Sequence, residues 1–366
     1  DLVRSRGLGD VYKRQIIMFS KKSILLTMAV LMVFSFFVFS VQAADQPIIL
    51  KLAHADATDI FTSRKHAQCL TFANLVNARA GGRIEVQVYG AGALGAEREY
   101  VEAIMAGTVQ AGIASGVMGG FLPEAMVTDI PYLFPSATIA WKVLDGPFGE
   151  KLSGLLLEKT GLRNLAFAEV GFRHFTNDAR PIHTPADMKG LKIRVQENPL
   201  FVKMVQGLGA NPTPIAWTEC YTALQSGVVD GEENPISTIN FARFQEVQKY
   251  LTLDGHVYGV DWFVMNNKFF ESLPDDLKYI IVDCAKISSG VGRGLQQLNS
   301  SVVGLQTLKE AGMEIYAPTV EEMTLFKKAA QGPVIDWLKT KIDIELINEA
   351  MQTVDKAVEE LKSQIQ

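Results

Sequence analysis

The sequence predicts an α/β protein of two similar units, and three observations carry that reading. Apolar strands alternate with helices in two separate runs, the chain beyond residue 275 is almost wholly helical, and 366 residues allow about two domains. A content of 48% hydrophobic residues, with 20 Phe, argues against disorder and for sizeable cores.

Ile48–His54 is dense enough in apolar residues for a buried parallel strand, and a helix is expected over 62–79, ended by Gly81-Gly82. Arg83–Tyr89 alternates at period two, Glu97–Met105 is helical up to Gly107, and Val109–Ala114 is a third strand. The run is therefore βαβαβ, the pattern of a largely parallel sheet. A second run follows. Leu165–Val170 and Arg173–Thr176 read as two strands, and Lys189–Val195 as a turn into a strand. Pro199–Leu208 is a helix, Pro212–Ile215 a short strand, Trp217–Ser226 a helix stopped by Gly227, and Val228–Asp230 opens the next strand. With no Pro/Ser/Gly-rich linker between them, the two units are expected to pack face to face with strands crossing over. Helical spacing then covers 275–289, 290–311, 319–330 and 344–363, with one strand at Met313–Tyr316.

Residues 1–17 fit no targeting pattern, resemble read-through of a sequencing adapter, and are expected to be non-native. Met18 opens a short basic segment, residues 24–39 are broken only by Thr27 and Ser35, and Val41-Gln42-Ala43 offers small residues for cleavage. That order predicts a signal peptide over 18–43, cleaved near Ala43. Residues 1–43 hold six of the 35 basic side chains and two of the 40 acidic ones, so the remainder carries 29 against 38, a net charge of −9. An acidic exported chain has no broad attraction for nucleic acid. Cys69, Cys220 and Cys284 are widely spaced, without CxxC or a Cys/His cluster, which argues against a disulfide scaffold and a zinc site.

Gly90-Ala91-Gly92-Ala93-Leu94-Gly95 is a literal G-x-G-x-x-G. A dinucleotide site would need an acid at the end of the following strand, and Val109–Ser115 has none, so the glycines read as a tight turn presenting a helix. Arg194 in Lys192-Ile193-Arg194-Val195 and Arg173 in Phe172-Arg173-His174 admit two readings: a solvated strand face, or capture of a carboxylate by the guanidinium fork. Asn234, held extended by Pro235, offers an amide or simply caps a turn. Asp230, Glu232 and Glu233 read as acids of a surface loop rather than a cation site. His54, ending the first strand, is a binding candidate. No G-x-S-x-G, H-E-x-x-H or Walker A is present in the sequence, so no catalytic residues are assigned.

The segments "LGAEREYVEAIMAGTVQAGIAS", "DIPYLF", "PADMKGLKIRV", "LGANPTPIAWTECYTALQSGVVDGEENP" and "LPDDLKYII" follow one another as in DctP-like proteins, the substrate-binding proteins of tripartite ATP-independent periplasmic (TRAP) transporters. The resemblance runs from about residue 48 to 355. It implies a type II periplasmic-binding-protein fold: two α/β domains with a hinge and a long connecting helix. The expected division is 44–170 with 258–300 as domain I, and 171–257 with 301–366 as domain II. The resemblance also implies a periplasmic monomer, no cofactor, no metal, a small carboxylate ligand and integral-membrane permease subunits as partners. Arg194 matches the arginine that pairs the substrate carboxylate, Arg173 a second arginine, and Asn234 an asparagine at the same end. His54, Asp56, Ser115, Trp217 and Asp261 are expected around the variable part of the pocket. A sugar acid such as a uronate is favoured over a short 2-oxo, 2-hydroxy or dicarboxylic acid. A ligand-sensing partner of a signalling receptor and an exported enzyme acting on carboxylates are the other classes weighed.

Overall fold

The structure, a computed structural model, describes residues 46–364. The leader and the non-native segment read from the sequence lie outside the described residues. From Ile48 onward the described residues form one compact unit. β1 (Ile48–Ala53) pairs in parallel with β2 (Ile84–Tyr89) and β3 (Ala111–Ala114), with α1 (Arg64–Arg79) and α2 (Glu97–Ala106) as crossovers. Ser63 caps α1 by accepting from the His66 N–H, and Gly107 ends α2 in the left-handed region. The Gly90–Gly95 run is the turn expected of it. Gly92 and Gly95 take φ of 71° and 100°, and Glu99 caps the Ala96 N–H as α2 begins.

Two helices not read from the sequence, α3 (Ala137–Leu144) and α4 (Pro147–Thr160), lead into β4 (Leu162–Asn177). The two strands expected there are one. Gly171, at φ 99°, absorbs a bulge between Glu169 and Gly171, so the strand bends without ending. Next come β5 (Lys192–Val195), α5 (Pro199–Gly207), β6 (Asn211–Pro214), α6 (Cys220–Gln225), β7 (Gly231–Asn234) and α7 (Ile236–Phe241). Trp217–Glu219 forms a 3-10 turn ahead of α6, so the expected helix is shorter than its apolar spacing suggested.

β8 (Tyr250–Asn266) escaped the sequence reading and is the longest strand. It pairs antiparallel with β4 through three register shifts, and the last leaves Leu253–His256 bulged opposite the single residue His174. These two strands hold together a nine-stranded sheet, eight strands in the order β2-β1-β3-β8-β4-β7-β5-β6 and a ninth beside β8.

After α8 (Asn267–Ser272), α9 (Asp275–Leu298) runs unbroken through Gly290, where the sequence suggested a boundary. Gly292 faces α1 so closely that a Cβ there would lie 2.9 Å from Gln68 Oε1, which accounts for a glycine inside a helix. A π-helical turn over Asn299–Gly304 passes into α10 (Leu305–Glu310), followed by β9 (Glu314–Tyr316), α11 (Val320–Leu338) and α12 (Ile344–Ser363). Phe72 of α1 meets Phe263 of β8 edge-on at 4.9 Å, both buried, and each such ring contributes about 1.5–3 kcal/mol by leaving water.

Candidate ligand-binding site

Where β1, β3, β4, β5 and β7 converge, a narrow cavity of about 30 Å³ is lined by Arg173, Arg194, Asn234, Asp56, Ser115 and Trp217, six of the eight residues expected there. Arg194 lies one residue before the end of β5 and is 2% exposed. Its Nε donates to the Ile215 carbonyl at 2.9 Å, its Cζ lies 6.0 Å from the Trp217 ring, and among the described residues it forms no ion pair. Its terminal N–H groups, without protein partners among the described residues, border the cavity.

Arg173 is equally buried but differently occupied. Its Nε and Nη2 donate to Glu233 Oε2 and Oε1 at 2.5 and 2.8 Å, and Nη2 also reaches the Glu233 carbonyl. Behind Glu233, the bulge in β8 turns His256 inward, onto the Phe175 ring at 4.2 Å. His256 Nε2 lies 3.2 Å from Glu233 Oε2, and its Nδ1 lies 3.0 Å from Asp254 Oδ2. Burial alone would lower the His256 pKa, but Asp254 and Glu233 outweigh it and raise it to about 9, so the imidazole stays charged.

Glu232 and Glu233 are therefore not surface acids. Both are fully buried in β7, beside a strand arginine and a strand threonine that the sequence could not place next to them. Glu232 accepts from Asn234 Nδ2 at 2.5 Å and from Thr176 Oγ1 at 2.9 Å. Burial still raises its pKa to about 7. Asn234 Nδ2 retains a second N–H for a ligand.

The opposite wall comes from residues the sequence reading missed. Arg64 and Lys65 open α1 and are buried, although cations are disfavoured at a helix N-terminus; that anomaly was the available signal. Arg64 Nε donates to Asp261 Oδ2 at 2.9 Å, and Lys65 Nζ bonds Glu97 and lies 3.5 Å from Asp261 Oδ1. Glu97 Oε2 also accepts from Ser115 Oγ at 2.8 Å. Asp261 thus sits behind the lining and acts on the cavity through two cations.

His54 does not line the cavity. Its Nε2 lies 3.0 Å from His66 Nδ1 beneath Gly90, and burial, with help from His66 and Lys65, lowers its pKa to about 3. It is a neutral core histidine. Outside the lining, buried Asn198 Nδ2 donates to the Gly116 carbonyl at 2.8 Å and to Asp129 Oδ2 at 2.9 Å. A larger cavity of about 720 Å³ lies between β4, the π-helical turn and α11, but the buried charges converge on the smaller one.

A buried guanidinium without a carboxylate partner among the described residues, in a cavity walled by fixed charges, suits an anionic solute. The bacterial extracellular solute-binding protein family 7 (DctP) matches residues 60–339, and the chain belongs to that family, the substrate-binding proteins of TRAP transporters. These are periplasmic, non-enzymatic proteins that bind small carboxylates and work with membrane permease subunits. A solute-binding protein of Verminephrobacter eiseniae is 42% identical over 246 residues, 67% of this chain and 73% of the relative. The sugar acid binding protein of Advenella mimigardefordensis, solved with galactonate, is 34% identical with a TM-score of 0.81, covering 85% of this chain and 99% of its own. A Polaromonas TRAP solute-binding protein bound to D-erythronate is 34% identical with a TM-score of 0.78, covering 83% and 98%. One from Sulfurospirillum deleyianum with bound succinate is 28% identical with a TM-score of 0.77, again covering 83% and 98%. Among the described residues, no helix is long and apolar enough to cross a membrane.

Proposed function

We propose that this chain captures a small organic acid by its carboxylate at Arg194, with Arg173 and Asn234 completing the anchor, and hands it to a TRAP permease. The observation that carries the reading is the buried, unpaired Arg194 guanidinium beside Asn234. Desolvating that charge is unfavourable until a carboxylate arrives with matched geometry, and exclusion of water then strengthens the pair. Residues 44–170 with 258–300, and 171–257 with 301–366, are the two lobes of this reading. The β4–β8 bulges supply flexible points between them. Ligand contacts complete only in the closed form shift the population toward it. Residues 18–43 direct export and are removed near Ala43, leaving a periplasmic monomer.

A sugar acid is the favoured ligand class; galactonate and D-erythronate, bound by two of the similar proteins, support it. A short dicarboxylic acid is the second reading, supported by the succinate-bound relative. The test is calorimetric titration of wild type and Arg194→Ala with these acids. Loss of the arginine should weaken binding by ~2–5 kcal/mol, roughly 30- to several-thousand-fold. Near wild-type affinity in the variant would refute the carboxylate anchor.

A further inference from the structure

We infer that the cavity takes a ligand with a single carboxylate whose far end donates hydrogen bonds, and that Asp56 is the residue that turns away a second carboxylate. The inference rests on the Arg194-anchored reading above and adds what the opposite wall demands.

That wall holds two cations against three carboxylates: Arg64 and Lys65 against Asp56, Glu97 and Asp261. His54 and His66 behind it have lowered pKa values, so they do not make up the balance. The wall is one charge negative, opposite the unpaired Arg194. Both cations are engaged, Arg64 by Asp261 and Lys65 by Glu97. Pulling either toward a second carboxylate would strand a buried acid.

Asp56 is the loose member of the cluster. It is 4% exposed, lines the cavity, and its buried Oδ2 accepts no hydrogen bond. The Arg64 Nη1 lies 3.6 Å from that oxygen, and Lys65 Nζ lies 3.8 Å from Oδ1, too far for hydrogen bonds. A ligand hydroxyl donating to Oδ2 would form a charge-assisted bond and satisfy a buried acceptor. A ligand carboxylate there would meet like charge in a water-poor space.

Matched acids isolate the effect. D-erythronate and meso-tartrate share a four-carbon chain with hydroxyls on the two inner carbons and differ in having a hydroxymethyl or a carboxylate at the far end; galactonate and galactarate repeat the comparison at six carbons. Calorimetry on the purified wild-type chain should show the hydroxy-terminated member of the pair that fits binding at least about tenfold more tightly. Asp56→Asn keeps shape and hydrogen-bonding capacity while removing the charge, and should narrow that ratio mainly by improving the diacid. A wild-type chain that binds the diacids as tightly overturns the inference, as does an unchanged ratio in Asp56→Asn. The wild-type ratio decides alone if that variant does not fold. Diacid binding that Arg194→Ala abolishes would remove the Asp56 inference and leave the anchor standing. Binding of none of the four acids would remove the anchor, and this inference with it.

Discussion

Arg194 and Arg173 flank the same short strand, β7, and are equally buried, yet their surroundings are opposite. Arg173 belongs to a row of alternating charge, Arg173–Glu233–His256–Asp254, which occupies its Nε and Nη2 while the side chain still borders the cavity. Arg194 has a carbonyl and an indole, and no acid among the described residues. The first arginine is part of what holds the sheet together; the second is held in readiness for something else. Burial alone does not mark a binding residue, but burial with an unanswered charge does.

The sharpest way to break the comparison is Glu233→Gln. It leaves Arg173 and His256 as buried cations with too few acids, which should cost about 3–5 kcal/mol and lower Tm on the order of 5–10 °C. An unchanged melting curve would show that the row carries no stability. Arg194→Met should do the reverse. Removing a buried charge that has no partner should leave Tm unchanged or raise it, while carboxylate affinity falls by ~2–5 kcal/mol. A large drop in stability would mean that Arg194 is paired within the fold after all.

A subtler effect follows from His256, whose folded pKa is raised to about 9 by Asp254 and Glu233 against the opposing effect of burial. Its contribution to stability is fully present below an unfolded pKa near 6.5 and is lost as pH rises through 9. The Tm gap between wild type and His256→Asn should therefore be widest below pH 6.5 and shrink by pH 9. A gap independent of pH would contradict a charged imidazole. The smallest effect belongs to Ser115→Ala, which takes one of two Ser115 donors from Glu97. It should lower the unfolding free energy by about 1 kcal/mol, read as a lower urea midpoint with an unchanged slope.

How much of this was legible in sequence depended on the range of the interactions. The βαβαβ run around β1 and the tight Gly90–Gly95 turn were readable because local periodicity and glycine chemistry set them. Arg194, Arg173 and Asn234 were expected together from the family resemblance, and the fold brings them to one cavity; their role toward a carboxylate is the proposal made above. β8 was not readable, because its bulge places Asp254, Gly255 and His256 in sequence inside the strand, and only pairing with β4 makes that tolerable. Glu232 and Glu233 look like loop acids until Arg173, Thr176 and His256, each more than 20 residues distant, are brought against them. Arg64 and Lys65 break the charge preference of a helix start, a conflict resolved by Asp261 and Glu97 across the fold.

Trp217 stands 6.0 Å from the Arg194 guanidinium, and the chain has four tryptophans in all. Trp262 is shut in the core of β8, Trp141 is bonded to Glu169 and Tyr258, and Trp337 lies on α11, away from this cavity. An acid docking on Arg194 would neutralise the charge facing one indole and leave the other three as a constant background. The molecule thus carries its own optical gauge of occupancy. Changes in its ultraviolet emission on titration would count filled sites without any added label.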